Sequence, residues 1–419
     1  MERQYKDSGI SWVGNIPDNW NVLRNKNTFI CGKDLVGEKS SSTQLLSLTT
    51  KGIRAIKQGE TSGKVPESYD TYQIVNPNNL VMCLFDLDCS AVFSGISPYC
   101  GMISPAYKVL SCKNTMIPKF ADYWFTYVFD GRKFMHYSKN IRYSLTYDEF
   151  SALRIIVPPI CEQQRIADFL DEKCGEIDSL IGLQDQMIEK LKAYKQSVIT
   201  EAVTKGLNSK AKLVSSCIDW IGEVPEGWKT IRIKHLLRER KERSETGEEE
   251  PLSMSQKFGL IPTKDMDMIP NMASSFIGAK VVYISDLVFN KLKAHLGVFS
   301  VSKYFGLVSP DYAVYYSTGR ADLKFLEYLF KTPQCIGEFR KRSTGVGAGL
   351  TRLYTDDLYS ILIPFPPLSE QQAIASYLDG KCSEIDSLIA IKQQKIEKLK
   401  DYKKSVIYEA VTGKTNIDL

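Results

Sequence analysis

Histidine is scarce in this chain: three in 419 residues, His136, His235 and His295, all far apart. Nucleophile–base pairs built on imidazole therefore have little to draw on. Ten cysteines are present but no two form a CxxC pair, so zinc-type spacing is absent. No apolar run approaches the roughly 18 residues of a membrane span, and no secretory signal is recognisable. Scattered thiols without such a signal point to a reducing cytoplasm. Nucleotide loops are missing too. No GxxxxGK[ST] occurs, and Gly345-Val346-Gly347-Ala348-Gly349 places its third glycine one residue early for the dinucleotide fingerprint, outside any βαβ context. Asn76-Pro77-Asn78-Asn79 is not the Asn/Asp-Pro-Pro-aromatic motif of an adenine methyltransferase. Asp86-Leu87-Asp88 finds no later Glu-x-Lys partner and reads as a turn between strands.

What is present is a repeat. Glu162–Thr204 returns as Glu370–Thr412 at an offset of 208 residues, with 30 of 43 positions identical. A self-similarity this long fixes architecture before any local reading does. Within it Ile177, Ile181, Gln184, Ile188, Leu191, Lys195, Val198 and Ala202 step by four and three. Ile385, Ile389, Lys392, Ile396, Leu399, Lys403, Val406 and Ala410 repeat that heptad seam. Each stretch follows a proline pair, Pro158-Pro159 and Pro366-Pro367, and Ser369 with Gln372 suggests a capping box in the second copy. Cys161 weakens that cap in the first, and Gly175 and Gly182 weigh against continuity there. As helices these stretches are rods of roughly 60 Å. So narrow a seam, polar at its middle, needs a partner, and the second copy is the natural one. Two helices packed antiparallel are expected.

The openings repeat at the same offset. DSGISWVGNIPDNW at 7–20 becomes SSCIDWIGEVPEGW at 215–228, so Trp12 maps to Trp220 and Trp20 to Trp228. The tryptophans read as hydrophobic anchors beside a tight turn. Interiors align only in patches: Leu80-Val81-Met82 with Leu287-Val288-Phe289, Gly101–Tyr107 with Gly306–Tyr312, Lys119–Tyr123 with Lys324–Tyr328, and Leu145–Asp148 with Leu353–Asp356. Short strands with Gly and Pro punctuation and a helix or two give an α+β globule of about 150 residues per half. Frame positions are held while the interior varies, as in two binding modules that read different targets.

The net charge of +5 permits an anionic partner. Arg132-Lys133 recurs as Arg340-Lys341 at the offset of 208, each ahead of a polar segment. The first segment carries Lys139, Asn140 and Arg142. The second carries Arg342 and Ser343, then Arg352, and Lys291, Lys293 and His295 add a basic run. Such side chains can hold phosphates and base edges.

Together, the WVGNIPDNW and WIGEVPEGW openings, the PPICEQQRIADFLD and PPLSEQQAIASYLD approaches and the two IEKLK-x-YK-x-SVI-x-EAVT endings resemble the DNA specificity subunit of a type I restriction-modification system. The resemblance covers the whole length. It implies target-recognition domains at 1–158 and 209–366, helical spacers at 159–208 and 367–419, and an internal pseudo-twofold. Each domain would read half of a bipartite, asymmetric site in double-stranded DNA. The helices would dock two modification subunits, which bring S-adenosylmethionine and methylate adenine; motor-nuclease subunits would use ATP and Mg2+. No cofactor or metal is expected on this non-catalytic chain. A coiled-coil scaffold that binds no DNA, or a stand-alone nuclease or methyltransferase, are the competing readings.

Overall fold

Both heptad stretches fold as single helices. The computed structural model describes residues 3–57, 68–138, 143–255, 258–266, 268, 275–345 and 351–417. Five of its helices matter here: α1 (Pro118–Asp130), α2 (Ile160–Lys205), α3 (Leu323–Phe330), α4 (Pro333–Arg342) and α5 (Leu368–Val411). Gly175 and Gly182 do not interrupt α2, and a Cβ at either would meet nothing within 4 Å. The expected capping box is a correction. α5 starts at Leu368, so Ser369 lies inside the first turn. The Pro367 carbonyl accepts from the Glu370 and Gln371 amides at 2.9 and 3.0 Å, and the Pro159 carbonyl accepts from those of Glu162 and Gln163 at 2.9 Å. Among the described residues no helix is long and apolar enough to cross a membrane.

The chain forms two units, Met1–Gln184 with Gln393–Leu419, and Asp185–Lys392. Each contains the first half of one long helix and the last part of the other. In the first unit Ile166, Leu170 and Cys174 of α2 share a core with Ile407, Ala410 and Val411 of α5. Further along α2, Asp178 pairs with Lys403, earlier on α5, at 2.7 Å, so the two segments run antiparallel. The second unit repeats this. Ile199, Ala202 and Val203 meet Ile374, Leu378 and Cys382, and Lys195 pairs with Asp386 at 2.6 Å. The heptad positions are the inner ones. Ile177, Ile188, Ile385 and Ile396 are buried, and Ile181, Leu191, Val198, Ile389, Leu399 and Val406 are partly so.

Each globule is built on a four-stranded antiparallel sheet. In the first unit β1 (Phe29–Cys31), β2 (Leu80–Met82), β3 (Ser94–Ile96) and β4 (Lys108–Cys112) lie in the order β1-β4-β2-β3. In the second, β5 (Leu237–Glu239), β6 (Leu287–Asn290), β7 (Phe299–Val301) and β8 (Tyr312–Ser317) repeat it as β5-β8-β6-β7. Phe93, Phe125, Phe134 and Phe150 pack edge to face in one core; Phe289, Phe299, Phe330 and Phe339 fill the other. Such aromatic pairs add about 0.5–1.5 kcal/mol beyond the area they bury.

Polar ties fix each globule to its helix. The Trp20 indole, fully buried, donates to Glu162 at 2.9 Å; Asn19 donates to the same carboxylate at 2.6 Å and Arg3 pairs with it. Trp228 donates to Glu370 at 3.1 Å. Gln163 holds the Ile117 amide and the Thr115 and Pro158 carbonyls; Gln371 holds the Asp322 amide and the Pro366 carbonyl. Tyr123 donates to Asp171 and Tyr328 to Asp379, both at 2.6 Å. Glycines behind the helix ends make room for the tryptophans. At Gly413 (φ +72°) a Cβ would stand 2.5 Å from Pro17 and 2.9 Å from Trp20, and at Gly206 (φ +73°) 3.3 Å from Trp228.

Burial disfavours the charged Glu162, but the hydrogen bonds from Trp20 and Asn19 and the Arg3 guanidinium outweigh it and hold the carboxyl below its ordinary value of 4.5. Its stabilisation is therefore complete above about pH 4.5 and fades as pH falls through the lower folded value. Glu162→Ala is expected to cost about 1.5–3 kcal/mol, the range for hydrogen bonds to a charged group. Denaturant midpoints of wild type and variant at pH 7 check this, and coincident curves would refute it.

Candidate nucleic-acid interface

Burial and offset together rearrange the basic residues singled out in the sequence. Lys119–Phe125 of α1 matches Lys324–Phe330 of α3 at an offset of 205, not 208. Phe134 and Phe339 keep that offset and take the same place: Phe134 packs on Phe93 and Phe125, Phe339 on Phe299 and Phe330. Arg132-Lys133 therefore corresponds to Gly337-Glu338, and the recurrence of an Arg-Lys pair is a coincidence of numbering. Three extra residues before Leu353 restore the offset of 208.

Arg132 and Lys133 are engaged inside the first unit. Arg132 adopts φ +49° and its guanidinium donates to the Leu87 carbonyl at 2.6 Å and to that of Ser90 at 3.3 Å, lying over the Phe129 ring. It ties the Asp86–Ser90 turn to the end of α1. Lys133 is half-buried over the Trp12 and Tyr127 rings, and desolvation pushes its pKa down. Lys139, Asn140 and Arg142 lie outside the described residues.

The second unit brings its basic residues together. Arg340, Lys341 and Arg342 form the exposed last turn of α4, where cations also complement the helix dipole. The buried Glu338 carboxylate holds Lys341 at 2.8 Å and Arg342 at 3.6 Å, and Arg342 donates to Ser360 at 3.0 Å. Ser343 ends the helix by donating to the Phe339 carbonyl at 2.7 Å. The chain then pairs Thr344 with Arg352 and Gly345 with Thr351 in a narrow ribbon. His295 lies 3.3 Å from the Thr351 hydroxyl, and its short helical turn packs along α4. Lys291 accepts the Leu353 amide on its carbonyl at 3.0 Å. Arg340 and Lys293 are exposed and make no ion pair with a described residue. Two cations are thus free beside the ribbon.

Of the groups around this patch, sequence reading singled out Arg352 but missed Glu239, Lys280, Asp311 and Thr355. Lys280 is buried and donates to Glu239 at 3.0 Å; Thr355 donates to Glu239 at 2.8 Å; Arg352 pairs with Asp311 at 2.9 Å. These residues stand far apart in sequence and no motif joins them. Among the described residues no group of three or more His, Cys, Asp or Glu could hold a metal ion.

The chain is similar to known proteins over most of its length. The family described as the type I restriction modification DNA specificity domain matches residues 287–401. A Methanocaldococcus jannaschii chain assigned as the MjaX type I restriction enzyme specificity subunit is 25% identical over 427 residues, covering 97% of this chain and 96% of that one. The MjaVIII specificity subunit of the same organism is also 25% identical, over 82% of this chain and 80% of its own length. A chain from a solved structure on complex assembly and conformational transition of the type I R-M system superposes with a TM-score of 0.71. It is 14% identical and matches over 96% of this chain and 99% of that one. Residues 287–401 thus match the type I restriction modification DNA specificity domain, and over nearly its whole length the chain is similar to specificity subunits of type I restriction-modification systems.

Proposed function

We propose that this chain reads a split DNA site for a type I restriction-modification complex, each unit reading one half, while partner subunits methylate and cleave. The observation that carries this is an anchored frame repeated around surfaces that differ. The Trp, Glu, Gln, Tyr and Asp ties are the same in both units. Beyond the shared phenylalanine the chain carries Met135-His136-Tyr137 in one and Arg340-Lys341-Arg342 in the other. A scaffold holding one partner twice would present matching surfaces; two readers of different sequence need different ones. In the second unit the free Arg340 and Lys293 neutralise phosphates, and Ser343 and His295 stand beside them for polar contacts.

Partner docking has its own surface. Leu180 and Leu183 are 44% and 49% exposed in the first unit; Leu388 and Ile391, at the same repeat positions, are 48% and 61% exposed in the second. Large apolar side chains left open at regular positions on a helix mark a protein contact. Each pair takes one modification subunit, giving two per chain. S-adenosylmethionine, ATP and Mg2+ belong to the modification and restriction subunits, and the complex works in the cytoplasm.

Methylome sequencing of cells with and without the gene tests the reading. One split motif should be methylated only when the gene is present, and identical methylomes would reject it. In the reconstituted complex Arg340→Ala and Lys293→Ala should each weaken binding to all sequences and reduce the slope of log K against log salt by about 0.9. Native mass measurement checks docking: Leu180→Asp or Leu388→Asp alone should each release one modification subunit, and full occupancy in both variants would refute that surface.

A further inference from the structure

Below the ribbon of the second unit lies a charged network whose place in the first unit is neutral. Paired strands set the equivalence. Glu239 on β5 faces Tyr315 as Cys31 on β1 faces Leu110. Lys280 pairs with Val308 as Gln73 pairs with Ile103. The Leu353 amide donates to the Lys291 carbonyl at 3.0 Å as the Leu145 amide donates to that of Leu84 at 2.7 Å. Asp311 takes the place of Ala106 in the Ser-Pro-x-Tyr turn. So Glu239, Lys280, Lys291 and Asp311 stand where the first unit has Cys31, Gln73, Leu84 and Ala106.

Within this network the cations are not equally committed. Lys280 is bound to Glu239, which also receives Thr355, and Arg352 is bound to Asp311. Both carboxylates are thereby taken. Lys291, half-buried, makes no ion pair or side-chain hydrogen bond with a described residue, although Glu239, Asp311, Lys280 and Arg352 surround it. Burial, and then the neighbouring Lys280 ammonium, push its pKa down. The Nε of Arg352 is likewise buried without a hydrogen-bond partner. A core leucine position has become a half-buried cation whose two neighbouring carboxylates are each bonded to another cation. Lys291 stands at the root of the ribbon that carries Thr351 and Arg352.

We infer that Lys291 is a DNA contact of the second unit, its ammonium taking an acceptor of the second half-site, and that it determines specificity there if that acceptor is a base edge. The inference rests on the DNA-reading function proposed above. The Glu239–Lys280 and Asp311–Arg352 pairs position Lys291, and by occupying both carboxylates they leave its charge for the DNA. The acceptor is a phosphate oxygen or a guanine O6/N7 edge, the two groups a lysine takes in duplex DNA. The first unit, with Leu84 at this position, makes no such contact.

The test uses the complex reconstituted with its modification subunits and the motif found by methylome sequencing. Lys291→Leu installs the first unit's own residue, and Lys291→Arg keeps the charge. With an unchanged melting temperature, Lys291→Leu should weaken binding roughly tenfold or more, the range of one good base or phosphate contact, and Lys291→Arg should recover most of it. For a phosphate acceptor the salt slope falls by about 0.9 on every sequence. For a guanine acceptor one position of the second half-site becomes permissive in methylation while the first half-site stays strict. Binding and methylation by Lys291→Leu equal to wild type would overturn the inference and leave the DNA reading intact. So would loss of binding accompanied by a fall in melting temperature that Lys291→Arg does not reverse. Failure of the unmodified complex to bind its motif would overturn both.

Discussion

An indole hydrogen-bonded to a carboxylate at the start of a long helix is the constraint on which both units depend. Trp20 with Glu162, and Trp228 with Glu370, join the opening of each globule to the first turn of the helix that closes it. The same tryptophan rests against a glycine behind the end of the other long helix. Left unpaired, the fully buried Trp20 indole would carry the cost of desolvation, so loop, helix start and helix end are set together. The buried glutamines, Gln163 and Gln371, add three and two further hydrogen bonds of the kind that fixes direction as well as proximity.

With the frame fixed in this way, the loops are released from structural duty. The two phenylalanine cores have the same strand order and nearly the same ring geometry, yet the residues beyond Phe134 and Phe339 share neither charge nor size. Arg132 shows how far the units have parted. It looks like a surface cation in the sequence, but its guanidinium closes an internal turn and stacks on Phe129. In the second unit the cations face out from the end of a helix that the first unit does not form there.

Much of this was legible in the sequence because it is periodic or repeated. The heptad steps located both helices and their buried sides, and the offset of 208 located the duplicated frame. Strands at Leu80–Met82 and Leu287–Asn290 followed from their apolar runs. The helix starts were misread because a proline carbonyl, not a side-chain hydroxyl, receives the first free amides. The Arg-Lys equivalence failed for a subtler reason. A three-residue deficit and a three-residue gain cancel within each half, so equal lengths hid a shifted register that only the packing of Phe134 and Phe339 exposes. The Glu239–Lys280–Thr355 network left no linear signal at all, because three distant segments contribute to it.

The division of the chain also bears on the order in which the protein takes shape during translation. The second unit is contiguous, Asp185–Lys392, and has its whole core once those residues leave the ribosome. The first unit is not: Ile407, Ala410 and Val411, made after the whole of the second unit, fill the same core as Trp20 and Leu170. Domains usually fold from the amino terminus onward. Here the globule begun first stays incomplete until the second has been synthesised, so the half made second is the one equipped to finish first.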